Sequence, residues 1–213
     1  MRVYHYLPSK WAITNLRYSR LKIATTEDMN DPFEFMCYDL PTREHRRDFK
    51  AAKDEMGSRF GVLCFSRSWK NPVLWSHYAD RHRGVCLGFD VQDDMTIPVE
   101  YTQHRLELDD TISAGSFTEA TADRWIRTKY EGWRYEDEVR VLPRLESRDP
   151  ETGLYFAEFQ KAIVLKEIIA GPLCSETQAI KAAIPTESTQ SVMLVRLAHR
   201  SFDIVTDQRG WPD

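Results

Sequence analysis

The feature that most constrains the fold of this chain of 213 residues is the order of its short apolar segments. Predicted helices separate some of these segments but do not alternate with them regularly. Segments 61–66 and 84–91 are apolar and of strand length, whereas amphipathic stretches of helix length separate only some of the predicted strands. A doubly wound sheet needs strict alternation of strand and helix. The sequence therefore predicts an α+β fold, with a single domain over residues 1–213 and a mixed, mainly antiparallel sheet flanked by helices.

Turn residues and helix-capping residues divide the chain into elements. Asn71 and Pro72 begin a helix in the usual way, with a capping side chain followed by a residue that lacks an N–H. Ser9 is expected to cap the first helix in the same manner. The predicted strands are 2–6, 20–24, 61–66, 84–91 paired with 98–101, 136–145, 161–171, 191–199 and 201–205, and the predicted helices are 10–18, 42–58, 72–83, 117–132 and 175–184.

Composition excludes several classes of protein. Lys and Arg total 29 against 33 Asp and Glu, so a protein that coats DNA non-specifically is not expected. The four cysteines lack paired short spacing and are read as core residues, so no zinc site or disulfide framework is expected, and no metal. No apolar run approaches the ~20 residues that span a bilayer. We expect a soluble, cytoplasmic protein without a membrane partner.

Common catalytic motifs are also missing from the sequence. It contains no glycine-rich dinucleotide loop, no phosphate-binding loop, no G-x-S-x-G elbow and no H-E-x-x-H helix. Hydride transfer on a Rossmann domain, nucleoside-triphosphate hydrolysis, esterase chemistry and zinc proteolysis therefore have no support.

The segment NDPFE is rich in residues that close turns. Asn30 and Asp31 can each bond the backbone nearby, and Pro32 leaves Phe33 free to anchor the loop in the core. One interpretation is a loop clamp. The alternative is that Asn30, Asp31 or Glu34 lines a cleft.

An aromatic stripe marks the helix after Pro72. It consists of Leu74, Trp75, Tyr78 and Ala79 at helical spacing, which usually indicates core. Trp75 and Tyr78 each carry a polar atom, however, and so also suit a pocket wall that stacks on a planar ligand. His77 lies on another face, where it is solvated, bonded to a backbone carbonyl or beside a cleft.

The segment YEDEVR has the most unusual chemistry. As a strand it would point Glu136, Glu138 and Arg140 to one side, because side chains alternate. On a solvent face this would be an ordinary charged row. Facing a cleft, the neighbouring carboxylates and the guanidinium would suit acid–base catalysis or stabilisation of a cation.

Several of these segments resemble the bacterial domain-of-unknown-function 2971 family over most of the chain. The marks are YHY at 4–6, RLKIATTEDMNDPFE at 20–34, CFS at 64–66, LWSHYADRHRGVCLGFD at 74–90, Lys129 followed by WRYEDEVR at 133–140, and KEIIAGPLCS at 166–175. This resemblance supplies a family and implies no activity.

The order of polar residues along the chain also resembles the layout of ADP-ribosyltransferases. The relevant residues are His5 on the first strand, Ser66-Arg67-Ser68 or the helical Tyr78 in the middle, and the late pair Glu136-x-Glu138. The resemblance implies a split sheet and NAD as co-substrate.

Each residue then has an implied role. His5 would hydrogen-bond the ribose of NAD, Tyr78 would stack on nicotinamide, and Glu138 would bind a ribose hydroxyl and stabilise the sugar cation. The further NAD-binding residues are Ser66, Ser68, Trp75, Glu136 and Arg140, and the further cleft residues are Asn30, Asp31, Glu34, His77, Lys129 and Trp133. Either the two serines or Tyr78 fills the middle position.

Three functions follow from these interpretations. The first is an NAD-dependent transferase or NAD-cleaving enzyme that acts as a toxin or phage-defence effector, with a protein or nucleic acid as acceptor. The second is a metal-independent nuclease or other hydrolase that uses His5 or His77 with Glu136. The third is a non-enzymatic binding module, in which Trp75, Tyr78, Trp133 and Arg140 are recognition contacts.

Overall fold

The computed structural model describes residues 1–108, 119–160, 162–185 and 190–211. The helices are α1 (Ser9–Tyr18), α2 (Arg43–Arg59), α3 (Pro72–Tyr78), α4 (Glu119–Arg127) and α5 (Thr177–Ala183). The strands are β1 (Arg2–Leu7), β2 (Arg20–Ile23), β3 (Leu63–Ser66), β4 (Val85–Val91), β5 (Ile97–Pro98), β6 (Glu100–Thr102), β7 (Thr128–Tyr130), β8 (Glu138–Val141), β9 (Tyr155–Glu158), β10 (Ile163–Ala170), β11 (Ser191–Leu197) and β12 (Ile204–Thr206). Short 3₁₀ turns span Asp93–Met95 and Glu131–Glu136.

Within the described residues, the strands form one large sheet and two small ones. The large sheet has eight strands in the order β12-β11-β10-β4-β1-β3-β8-β5, and β2-β9 and β6-β7 form separate pairs. All neighbours in the large sheet are antiparallel except β10 and β11. The predicted α+β class with a mainly antiparallel sheet is confirmed.

Helices cover both faces of the large sheet because its central strand is apolar on both sides. Leu87 and Phe89 of β4 pack in the same cluster as Leu16 of α1 and Ile180 of α5. Cys86 faces the other way and packs in the cluster that contains α3. A strand buried on both faces reads as a continuous apolar run, which is why segment 84–91 was identified from sequence.

The large sheet opens between β1 and β3. Strand β1 pairs with β4 along its whole length, from Arg2 to Leu7, but with β3 at one position, Tyr4 opposite Ser66. Beyond that position the strands diverge, and the side chain of His5 bonds the carbonyl of Cys64 across the opening. The sheet is therefore split at this place.

A third apolar cluster lies beside the split. It is built on Phe35, Phe49 and Trp125, which come from the loop after β2, from α2 and from α4. Phe49 is the buried residue of α2, so this helix is exposed, as its charged sequence predicts. Because Phe35 is anchored in this cluster, the neighbouring Glu34 is held beside the opening of the sheet.

Several local predictions were wrong. Segment 98–101 does not pair with β4: Pro98 in β5 pairs with β8, and β6 pairs with β7. The helix after Pro72 ends at Tyr78, because Asp80, Arg81 and His82 all have positive φ, between 45° and 69°. Ser9 does not cap α1, since its hydroxyl donates instead to the carbonyl of Arg83.

Two further differences concern strands. Strand β9 was not predicted, although Tyr155 and Phe156 are typical strand residues, and it pairs with β2 outside the large sheet. The predicted helix 117–132 ends at Arg127, and Thr128–Tyr130 is a strand. The first two residues of that predicted helix lie outside the described residues.

Within the described ranges, none of the helices combines the length and the apolar character that crossing a membrane requires.

Candidate functional site

A cleft of about 120 Å³ lies where the large sheet opens. His5 reaches it from β1, Ser66 from β3, Tyr78 from the end of α3 and Glu138 from β8. These residues are far apart in sequence, and the split of the sheet brings them together. Asn30, Glu34, Lys129 and Glu136 also line the cleft.

His5 has a fixed tautomer. Its Nδ1 lies 2.9 Å from the carbonyl oxygen of Cys64, which only accepts, so Nδ1 carries the proton. Burial lowers the pKa of His5, which favours the neutral ring. No described residue hydrogen-bonds Nε2. The neutral ring therefore presents an acceptor nitrogen at the cleft.

Tyr78 is held by hydrogen bonds at its hydroxyl. It donates to Oε1 of Glu136 at 2.5 Å and accepts from Nδ2 of Asn30 at 3.1 Å. Burial and the neighbouring Glu136 carboxylate raise the pKa of Tyr78, so the phenol stays protonated. These bonds orient the ring of Tyr78 in the cleft wall.

Buried charges surround Glu138. Its Oε2 accepts from Lys129 Nζ at 2.8 Å, and its Oε1 accepts from Arg140 Nε at 2.8 Å. Burial opposes ionisation of Glu138, but Arg140 and Lys129 outweigh it and hold the pKa at about 2. Glu138 is therefore a carboxylate throughout the physiological pH range.

Lys129 joins the carboxylates of the cluster. Its Nζ donates to Glu136 Oε2 at 2.5 Å and lies 3.5 Å from Glu34 Oε2. Burial would lower the pKa of Lys129, but the carboxylates of Glu138, Glu34 and Glu136 raise it above its usual range. The ammonium group therefore stays charged although it is buried.

Arg140 connects the buried charged cluster to the loop that contains Glu34. Its guanidinium donates to Glu34 Oε1 at 2.5 Å and to the carbonyl of Ile126 at 2.7 Å. Arg140 is 1% exposed and stands behind the cleft rather than in its wall. The cluster contains three carboxylates and two cations, Glu34, Glu136 and Glu138 against Lys129 and Arg140, so its formal charge is −1.

The interpretation of YEDEVR as a solvent-facing charged row was wrong, because Glu136, Glu138 and Arg140 are all buried. The interpretation as one continuous strand was also wrong. Glu136 ends a 3₁₀ turn, and Asp137 with φ of 44° redirects the chain before the strand starts at Glu138. The carboxylates of Glu136 and Glu138 converge on Lys129 through this bend.

Both interpretations of NDPFE hold in part. Asp31 closes a turn by accepting from the backbone N–H of Phe33 at 2.9 Å, while Asn30 and Glu34 line the cleft. The predicted anchor was wrong: Phe33 is 62% exposed, and the buried ring is that of Phe35. The turn places residues 33 and 35 on opposite sides of the loop.

Six predicted site residues lie outside the wall of the cleft: Arg140 behind it, Asp31 in the turn, and four more. Trp75 is fully buried, and its indole N–H donates to the carbonyl of Trp69 at 2.6 Å, so it is not free to stack on a ligand. The hydroxyl of Ser68 accepts from the backbone of Lys70. His77 is exposed and bonds the hydroxyl of Tyr135. Trp133 lies under Lys129, whose Nζ is 5.2 Å from the ring centre.

Tyr4 and Tyr101 were not predicted as site residues. Tyr4 lines the cleft, and burial, followed by the charge of Glu167, raises its pKa to about 12. The hydroxyl of Tyr101 accepts from the backbone N–H of Glu138 at 2.9 Å. Tyr101 lies opposite Lys129 in the β6-β7 pair, and that pairing cannot be read from either segment alone.

Among the residues that the structure describes, no group of three or more His, Cys, Asp and Glu side chains is arranged to hold a metal ion.

Comparison with known proteins gives one match. A family model described as Protein of unknown function (DUF2971) matches residues 74–107, which include Tyr78 and strand β4. This match supports the resemblance seen in the sequence. Comparisons with curated proteins and with solved structures returned no match.

Proposed function

We propose that the cleft binds the nicotinamide end of NAD and cleaves its glycosidic bond, either to water or to an acceptor. The observation that carries this proposal is the meeting of His5, Tyr78 and Glu138 around one cleft beside a buried cluster of formal charge −1. The three residues come from β1, α3 and β8, and each would take the role that the resemblance to ADP-ribosyltransferases implies.

The chemistry suits a negatively charged cleft. When the bond between ribose C1′ and the nicotinamide nitrogen breaks, its electron pair leaves with nicotinamide, and positive charge develops on the ribose. A fixed carboxylate beside that charge lowers the energy of the transition state most when it is held in place and shielded from water. Glu136 and Glu138 are both buried and held by Lys129.

The net charge of the cluster matters more than either carboxylate alone. Lys129 and Arg140 neutralise part of the negative charge, and one unit remains. Because Lys129 touches Glu136 and Glu138 in the wall of the cleft, a developing cation would be attracted by the carboxylates and repelled by the ammonium group. Catalysis then requires the ribose to lie closer to the carboxylates of Glu136 and Glu138 than to Nζ of Lys129.

The size of the cleft fits part of the ligand. Its volume of about 120 Å³ is below the ~300–1,000 Å³ of pockets that take a whole drug-sized ligand. One end of NAD would enter, with Nε2 of His5 accepting from a ribose hydroxyl and the ring of Tyr78 against nicotinamide. As an enzyme that consumes NAD, the protein would act as a toxin or phage-defence effector.

The test is release of nicotinamide from NAD by the purified protein, in buffer and in cell extract that supplies acceptors. Glu138→Gln keeps the shape of the side chain and removes its charge, so we expect turnover to fall about 10²–10³-fold. Tyr78→Phe keeps the ring and removes the hydrogen bond to Glu136 Oε1, and a smaller loss is expected. Glu146→Gln, at an exposed carboxylate outside the cleft, is the matched control and should retain wild-type turnover.

Thermal unfolding of each variant separates lost chemistry from lost folding. A wild-type protein that is folded and releases no nicotinamide in either setting contradicts the proposal. Cleavage of RNA without NAD would favour the hydrolase alternative. Binding of NAD without chemical change would favour the binding module.

A further inference from the structure

A second cleft, of about 260 Å³, adjoins the first. Glu34 and Lys129 line both clefts, so the two hollows share a wall of two side chains that lie 3.5 Å apart. A molecule held in the second cleft would be separated from the first only by this ion pair. An acceptor held in the second cleft would therefore lie next to the cleft proposed to bind NAD.

Exposed aromatic rings distinguish the second cleft from the first. Phe33 is 62% exposed and Tyr130 is 59% exposed, and both line it. Large aromatic side chains left in water at a concave site usually mark a surface that binds something. Asp31 fixes the turn that holds Phe33 outward, so the exposure of this ring is built into the loop.

A cation stands beside one of these rings. The guanidinium carbon of Arg105 is 5.6 Å from the centre of the Phe33 ring. Arg105 is itself held in position, because one of its nitrogens donates to the carbonyls of Met36 and Tyr38, each at 3.1 Å. The ring of Phe33 could stack on a planar group, and the guanidinium of Arg105 beside it could pair with an anion attached to that group.

We infer that the second cleft binds a nucleobase of a single-stranded nucleic acid, with the phosphate near Arg105, as the acceptor of the ADP-ribosyl group. Bases stack on aromatic side chains, and each phosphate carries the charge that a guanidinium pairs with. Gln103 adds a side chain that can hydrogen-bond a base edge, whereas the hydroxyl of Thr102 donates to the carbonyl of His104 in its own loop. The transfer step rests on the proposed function, whereas the binding does not.

The transfer balances without a further reactant. The bond from C1′ to nicotinamide breaks, and its electron pair leaves on the ring nitrogen. A lone pair on a nitrogen or oxygen of the bound nucleotide forms the new bond to C1′, and its proton passes to water. The nucleotide must approach past Lys129 and Glu34, which line both clefts.

Binding of fluorescently labelled six-nucleotide strands, measured by anisotropy at physiological salt, tests the inference without NAD. We expect DNA or RNA single strands to bind and a duplex of the same sequence to bind more weakly. Phe33→Ala and Tyr130→Ala should each weaken binding about tenfold or more, since one base stack is worth ~1–3 kcal/mol. Phe202→Ala, at a ring that is 96% exposed and lies outside both clefts, should change nothing.

The outcomes distinguish failure of the nucleic-acid site from failure of the proposed NAD chemistry. Nicotinamide release without binding of any strand would overturn this inference and leave the proposed function standing. Binding that both cleft variants weaken, without nicotinamide release, would support the site and overturn the NAD chemistry. Wild-type affinity in both cleft variants, or modification of proteins rather than of nucleic acid in extract with NAD, would also overturn the inference.

Discussion

Arg140 holds the candidate site together from behind the wall of the cleft. It bonds Glu138 on its own strand, Glu34 on a loop more than one hundred residues away, and the carbonyl of Ile126 in the last turn of α4. Because it is 1% exposed, water cannot replace these bonds. Arg140 is therefore a positioning residue for the carboxylates.

Replacing Arg140 tests this role at the residue scale. Arg140→Met should lower the free energy of unfolding by ~3–5 kcal/mol, because the buried carboxylates of Glu34 and Glu138 each lose a charged hydrogen-bond donor. Arg140→Lys keeps the charge but cannot bridge Glu34 and Glu138, so a smaller loss is expected. Urea denaturation at neutral pH measures both variants.

Arg134→Met is the control for that measurement. Arg134 also bonds a glutamate, Glu131, but its side chain is 62% exposed and the pair is screened by water. Its unfolding midpoint should match that of the wild type. A similar midpoint for Arg140→Met would contradict the role assigned to Arg140.

Sequence reasoning at this scale succeeded where residue type alone is informative. The spacing of Glu138 and Arg140 indicated a shared face, and Asn30, Glu34 and Lys129 were identified as cleft residues. It failed for Trp75 and Phe33, because whether an aromatic ring is buried depends on the direction in which the chain turns. The direction of residues 33–35 is set by the bond from Phe33 N–H to Asp31, and several outcomes fit that motif.

At the scale of elements, α2 depends on its ends more than the other helices do. Its buried residue is Phe49, which packs on Trp125 with ring centres 5.2 Å apart. Helices with little buried surface rely on capping and on local interactions. Thr42 supplies the N-cap by accepting from the backbone N–H of His45 at 3.1 Å.

Thr42→Ala should therefore destabilise the protein by ~1 kcal/mol, the usual cost of removing a capping oxygen. Ser58→Ala near the other end of the same helix removes a hydroxyl that donates to the carbonyl of Glu55, and should change stability by less than ~0.5 kcal/mol. Denaturant unfolding compares the two variants. Equal effects would show that the cap contributes nothing specific.

Most elements of this chain could be predicted because burial and capping leave local signals. Strand 84–91 is apolar throughout, and Asn71 with Pro72 begins α3. Pairing could not be predicted in the same way. Segment 98–101 is extended as expected, but it divides between β5 and β6, whose partners β8 and β7 follow later in the chain.

For the whole molecule, the site depends on contacts between distant parts of the chain. The cleft exists because β1 pairs fully with β4 and at one position with β3. No local pattern in the sequence reports such a split, because it depends on the pairing of strands that are far apart along the chain. The convergence of His5, Tyr78 and Glu138 is a consequence of this topology.

This topology also predicts where the molecule is most stable. Strand β4 lies between β1 and β10, pairs with both along its length, and is covered on both faces by apolar clusters. Its amides can exchange with solvent only when the central sheet opens, which approaches global unfolding. Helix α2 can open while the central sheet stays intact, since Phe49 is its one buried residue and it packs on the third apolar cluster.

Native-state hydrogen exchange should therefore show the slowest exchange in β4 and its two neighbours, and exchange faster by several orders of magnitude in α2. Strand β3 gives the sharper comparison. Because its edge toward β1 is open beyond Ser66, its amides on that side should exchange faster than those of β4, although Phe65 is buried. Equal protection in β3 and β4 would mean that the sheet is closed in solution, and the cleft with its convergent residues would then not form.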